Sequence, residues 1–206
     1  MPIITDNGAS ITFPNENKHV DFTIDLDIFR DFYSKIEKYV VCAFSATRTK
    51  NVLQNAKEVP QWLIYNGPEI EIVEGRFYDL LNEDPFLPNL WISEDCYDDF
   101  VKIIDSYKDI IGYRYWGCFD GKHSFELHSV NASKGLAMKY LSNLYKVDKT
   151  ISFGDQLNDI SMLEMADLGV AMINSNEQVI KNARFVTRKD YNNNGVVDYL
   201  IKNKLY

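Results

Sequence analysis

The chain has 206 residues, a formal charge of −8, and apolar and aromatic contents of 46% and 14%. That is enough apolar material for a sizeable core and excludes a disordered chain; the length suits one domain or a domain carrying a large insertion. The acidic balance argues against non-specific nucleic-acid binding, which needs a basic excess, yet leaves room for a local cationic pocket. Cys42, Cys96 and Cys118 are odd in number and widely spaced. They suggest neither a disulfide framework nor a zinc site, and read as reduced thiols. The start, MPIITDNGAS, lacks a basic segment followed by an apolar one, and no apolar run approaches the ~18 residues of a membrane span. A soluble, cytoplasmic protein with no membrane partner is expected.

Residues 10–130 come first in chain order. Asp25–Tyr39 and Asp95–Tyr107 have the apolar spacing of amphipathic helices, and Tyr39–Phe44 and Trp62–Tyr65 read as strands. The Asn82–Asn89 stretch, NEDPFLPN, reads as a loop. His123–Val130 alternates, with Phe125 and Leu127 on one face and Glu126 and His128 on the other, as in a half-buried antiparallel strand. Half of the aromatic residues lie in 62–125. Core packing is the default for most of those rings, and a sugar-stacking surface is the alternative. This part reads as an inserted α+β module.

The texture changes near residue 131. Ser133 can cap a helix in which Leu136, Tyr140, Leu141 and Leu144 recur at helical spacing. Lys149–Phe153 is a short strand, Asp159–Ala166 a short helix and Leu168–Ile173 an apolar run of strand length. Glu177–Ala183 is helical, Arg184–Thr187 is a strand and Asn192–Gly195 is a turn. Val196, Val197, Leu200 and Ile201 mark a last amphipathic helix. Strands alternating with helices predict a parallel sheet.

One string carries chemistry: Gly154-Asp155-Gln156-Leu157-Asn158-Asp159. A strand ends, glycine permits a tight turn and a helix begins. Asp155 is thereby placed at the carboxyl end of a parallel strand, where open α/β sheets bind ligands. Asp159 is four residues on and can face the same way. Two carboxylates and an amide oxygen suit a hard ion such as Mg²⁺. The same string also reads as a helix start whose acids favour the dipole. Upstream, Lys134 in Ser133-Lys134-Gly135 can hold a phosphate as a point charge, or stand as an ordinary solvated lysine. His19, His123 and His128 share no metal-ligand spacing. Arg76, Arg114 and Arg184 are candidate substrate cations that nothing in the sequence ranks.

Together, Ala132-Ser133-Lys134-Gly135, Gly154-Asp155-x-x-Asn158-Asp159-Ile160-x-Met162-Leu163 and Gly169-Val170-Ala171-Met172-x-Asn174 resemble the C-terminal half of a haloacid-dehalogenase (HAD)-type phosphatase. The resemblance is closest to the Cof-like sugar-phosphate phosphatases with an inserted cap. Asn182–Thr187 with Gly195-Val196, and Pro2–Ala9 with its Asn-Gly-Ala turn, fit as well. The resemblance implies a Rossmann-like α/β core, residues 1–10 and 131–206, carrying an α+β cap, residues 11–130. It implies a Mg²⁺-dependent phosphomonoester hydrolase acting through an aspartyl-phosphate on a small phosphorylated metabolite, with no nucleic acid involved. Lys134 matches the lysine that steadies the nucleophile and phosphoryl group, Asp155 the metal-binding acid, and Asp159 the acid supporting the metal shell or the lysine. Asn158 matches the amide beside the phosphate. Ile173 departs from the family, which usually has glycine before Asn174.

A second departure concerns the nucleophile. The family's Asp-x-Asp-Gly-Thr and Thr-Gly-Arg or Ser-Gly-Arg strands precede the Asn-Gly-Ala turn, and here that turn stands at the start. The absent βαβ stretch would need roughly 30 residues. On this alignment the core lacks two strands and its nucleophile, as in a truncated or inactive form. Self-association or a partner chain would then close the sheet edge. The alternatives are a non-catalytic phosphate- and Mg²⁺-binding protein, and a complete phosphatase with displaced motifs at Asp25-Leu26-Asp27 and at Phe44-Ser45-Ala46-Thr47-Arg48, followed by an Asn66-Gly67-Pro68 echo of the turn. Asp25 and Asp27 otherwise simply start a helix.

Overall fold

The structure is a computed structural model that describes residues 1–64 and 70–205. It divides into two compact units, Met1–His19 with the chain from Ala132 onward, and Val20–Asn131. The sequence placed the first passage at residue 11. The difference arises because β1 (Ile3–Thr5) and β2 (Ser10–Phe13) pair antiparallel, Thr5 opposite Ser10, and hold residues 10–13 in the first unit. A third strand, β3 (Lys18–Asp21), adds to β2 where the chain passes from one unit to the other.

The Val20–Asn131 unit contains α1 (Leu26–Ile36), β4 (Val40–Ala46), β5 (Lys50–Gln54), β6 (Glu71–Glu74), α2 (Phe77–Leu80), β7 (Asn89–Ser93), α3 (Tyr97–Asp105), β8 (Ile111–Phe119) and β9 (Lys122–Ser129). Its six strands lie in the order β6-β5-β4-β7-β9-β8. All neighbours are antiparallel except β5 and β6. Asp25 begins α1 by accepting from the N–H groups of Asp27 and Ile28. From there Phe29, Phe32, Tyr33 and Ile36 recur at three- and four-residue spacing and are buried. They meet Phe100 and Ile104 of α3, and Ala43, Leu90, Phe125 and Leu127 from the sheet. Each such side chain contributes about 1.5–3 kcal/mol by leaving water. The rings of 62–125 are divided: Phe77, Phe86, Trp91, Phe100 and Phe125 are buried, with Phe100 and Phe125 at 4.4 Å, while Trp62, Tyr113, Tyr115, Trp116 and Phe119 are exposed.

Two expectations fail here. Trp62–Tyr65 forms no strand in its described part: Gln61–Leu63 is a 3₁₀ turn following Pro60, and Trp62 is 83% exposed. Tyr65 and the Asn66-Gly67-Pro68 string lie outside the described residues. The polar face of β9 is also drier than its alternation suggests, because Glu126 is buried and ion-paired with Arg114 of β8.

The remainder of the first unit is α4 (Lys134–Tyr145), β10 (Ile151–Gly154), α5 (Ile160–Met165), β11 (Leu168–Ala171), α6 (Glu177–Asn182), β12 (Phe185–Val186) and α7 (Gly195–Lys202). Strands β10, β11 and β12 are parallel in that order, with Gly154 opposite Ala171 and Ala171 opposite Val186. Among the described residues β10 is an edge strand. In α4 the fully buried positions are Gly135 and Ala137, while Leu144 of the expected stripe is 47% exposed. No helix among the described residues is long and apolar enough to cross a membrane.

Candidate active site

The carboxyl ends of β10, β11 and β12 deliver Asp155, Met172 and Thr187 to one end of the parallel sheet, the place where such sheets bind ligands. At the end of β10, Asp159 organises the turn. Its Oδ2 accepts from the backbone N–H groups of Asp155 at 2.9 Å and Gln156 at 3.0 Å. Gly154 is required beneath it, since a Cβ there would run into the Asp159 side chain. Asp159 Oδ1 accepts from Lys134 Nζ at 2.5 Å. Lys134 is placed by its helix start: Ser133 caps α4 by accepting from the Leu136 N–H, and the Gly135 N–H donates to Ser161 Oγ.

Asp159 is buried, which by itself would raise its carboxyl pKa. The Lys134 ammonium and the two loop N–H groups outweigh burial and hold it below the ordinary carboxylate value. The residue is an ionised clamp between lysine and loop. Both of its oxygens are engaged, so of its two expected roles, metal support and lysine support, the geometry displays the second. Asp155 differs: no described residue donates to its half-buried carboxylate. Lys134, Asp155, Asp159, Gly154, Met172 and Tyr191 line a common cavity of about 420 Å³.

The donor set fits a hard cation in kind, since Asp155 offers an open carboxylate at a strand end. In number it is sparse, and Mg²⁺ is commonly held by one or two carboxylates with water completing its shell. No group of three or more His, Cys, Asp or Glu side chains that could share an ion occurs among the described residues.

Asn158 brings in a residue that the sequence did not single out as part of the site. Its Nδ2 donates to Asn7 Oδ1 at 2.9 Å, across 151 positions, and its own Oδ1 is buried without a partner. Asn7 sits with Asp6 and Gly8 in consecutive left-handed conformations (φ 53°, 50° and 97°). A Cβ on Gly8 would collide with the Ser133 carbonyl, so the turn packs directly on the helix start that carries Lys134. The Asn-Gly-Ala string was a visible cue to a turn, but not to this hydrogen bond.

The other candidates have roles within their own units. Asp25 is the cap of α1, and Ser45 lies in β4, which is antiparallel to both of its neighbours. The displaced-motif reading therefore has no parallel strand end to stand on. Arg76 is bonded to Glu37 and Asp79, Arg114 to Glu126, and Arg184 to the Asp167 carbonyl. Burial first, and Arg114 second, lower the His128 pKa to about 4, so that ring is neutral at pH 7. Burial pushes the Cys42 thiol up to about 12 and makes it a poor nucleophile.

The sequence pattern of the haloacid dehalogenase-like hydrolases matches residues 1–200. Phosphatase YwpJ of Bacillus subtilis is 47% identical over 68 residues, which are 32% of this chain and 24% of that protein. The 5-amino-6-(5-phospho-D-ribitylamino)uracil phosphatase YitU of Bacillus subtilis is 25% identical over 191 residues, 90% of this chain and 70% of its own length. Among solved structures, a sugar phosphatase of HAD subclass IIB, BT4131, superposes with a TM-score of 0.72 at 20% identity, covering 100% of this chain and 76% of that one. With a family match over nearly its whole length and the fold to go with it, the chain belongs to the haloacid dehalogenase-like hydrolases.

Proposed function

We propose that the Lys134–Asp155–Asp159 cavity is the phosphate and Mg²⁺ end of a phosphomonoesterase site, with small phosphorylated metabolites such as sugar phosphates as substrates. The observation that carries this is the pairing of a clamped lysine with an open carboxylate at one strand end. Lys134 would meet a phosphoryl oxygen as a point charge, and Asp159 keeps its ammonium aimed. Asp155 would hold Mg²⁺, which when bound supplies positive charge against the phosphoryl oxygens. Asn158, steadied by Asn7, would lie beside the phosphate. The phosphatases YwpJ and YitU support the reaction class, and the sugar phosphatase fold supports the substrate class.

The 206 residues contain no Asp-x-Asp-Gly-Thr string. We therefore propose that on their own they bind phosphate and Mg²⁺ without turnover. The open edge of β10 supports completion of the sheet by a further strand, from a second copy or another polypeptide. The test is calorimetric titration with Mg²⁺ and inorganic phosphate, run beside a phosphatase assay with an aryl phosphate. Weak binding abolished by Lys134→Ala and Asp155→Ala, with no turnover, is expected. Binding indifferent to both substitutions would overturn the site. Mg²⁺-dependent turnover lost in Asp155→Asn would show that a nucleophile is already present.

A further inference from the structure

Beside the cavity just described lies a second groove of about 550 Å³, lined by Ile173 and by the loop between β12 and α7. The loop is stiffened from within. Buried Thr187 accepts from the Ile173 N–H at 3.0 Å and donates to the Lys189 carbonyl at 2.7 Å. Asp190 Oδ1 accepts from the Asn193 backbone and side-chain N–H groups, and the Asp190 carbonyl accepts from the Gly195 N–H. Lys189 is withdrawn to Asp198 at 3.1 Å.

What remains open is specific. Among the described residues, the side chains of Arg188, Asn192 and Asn194 have no partner. Asp190 keeps a second carboxylate oxygen. Ile173 adds a half-exposed apolar floor. One cation, one anion and two amides amount to a mixed donor and acceptor set. A second anionic group on a ligand would meet Asp190 as well as Arg188. A polyol uses both, since each hydroxyl donates and accepts, and its C–H surface can lie on Ile173.

The groove is continuous in sequence with the phosphate cavity. Met172 lines one and Ile173 the other, and Tyr191 lines the first between Asp190 and Asn192 of the second. We propose that Arg188, Asp190, Asn192 and Asn194 read the hydroxyl groups of a phosphorylated polyol whose phosphate occupies the Lys134 cavity. This rests on the phosphate reading of that cavity. It assigns substrate selection to a loop of the parallel-sheet unit.

The experiment is calorimetric titration of the full chain, in Mg²⁺, with three probes: methyl phosphate, glucose 6-phosphate and 2-phosphoglycolate. Glucose 6-phosphate is expected to bind about tenfold more tightly than methyl phosphate, by roughly two added hydrogen bonds. In Arg188→Ala/Asn192→Ala the advantage falls to about twofold or less, and methyl phosphate binds as before. Equal affinity of the unsubstituted chain for methyl phosphate and glucose 6-phosphate overturns the proposal and leaves the phosphate cavity standing. So does an advantage confined to 2-phosphoglycolate, which would make the groove an anion subsite. Absence of binding by all three overturns the phosphate reading and this inference together.

Discussion

Lys134 Nζ and Asp159 Oδ1 lie 2.5 Å apart, and the other oxygen of Asp159 takes two backbone N–H groups of the turn after β10. One carboxylate thus sets both the cation and the loop that begins at the open Asp155. Asp159→Ala is expected to destabilise the Met1–His19/Ala132 unit by about 2 kcal/mol, the scale of losing charge-assisted hydrogen bonds around a buried group. It should also weaken phosphate binding. Asp159→Asn keeps part of the turn and should cost less. Chemical denaturation followed by circular dichroism, beside phosphate titration, measures both.

The same residue gives that unit an acid limit. Its folded pKa is depressed, so its contribution is fully present above the unfolded carboxylate value of about 3.9 and is lost as pH falls through the lower folded value. Asp159→Asn should flatten that part of the stability profile. A profile of unchanged shape would show that the carboxylate is not held ionised by Lys134 and the loop.

His128 sets a different limit on the other unit. Its pKa of about 4 lies below the ordinary value of 6.5, so the unfolded chain takes up the proton first as pH falls. Stability should be full above pH 6.5 and decline by about 3 kcal/mol towards pH 4. Trp62, Trp91 and Trp116 all belong to the Val20–Asn131 unit, so tryptophan fluorescence isolates its unfolding. His128→Gln should remove the slope between pH 6.5 and 4.

Phe100 packs at 4.4 Å from Phe125 and is fully buried between α3 and the sheet. Phe100→Ala should cost about 3–5 kcal/mol, read from the same fluorescence transition. A cost below about 1 kcal/mol would mean that the helices do not seal that face.

Gly8 has φ +97° and no room for a Cβ against Ser133. Gly8→Ala should destabilise the first unit by about 2 kcal/mol or more, because conformational strain and collision act together. Circular dichroism during denaturation would register this, with the tryptophan transition unmoved.

Local pattern made much of this visible. Ser133 before an apolar helix, and Gly154-Asp155 closing a strand, are signals carried by neighbours in sequence, and they place Lys134 and Asp155 without further information. Trp62 misled because a short apolar run looks alike in a strand and in an exposed 3₁₀ turn. The engagement of Arg76 and Arg114 was hidden for another reason: Glu37 and Glu126 become their partners only when strands and helices assemble. The Asn7–Asn158 bond is equally non-local, and no window along the chain contains both residues.

That separation has a consequence during synthesis. Asn7 leaves the ribosome 151 positions before Asn158, which at ordinary elongation rates is roughly 8–30 s. Throughout that interval the left-handed turn at Asp6–Gly8 lacks its partner asparagine, and before it closes the whole Val20–Asn131 unit has been made. The Lys134 cavity is therefore completed only after that unit, and a nascent chain halted between Asn131 and the final sheet strands carries a finished insertion and no site.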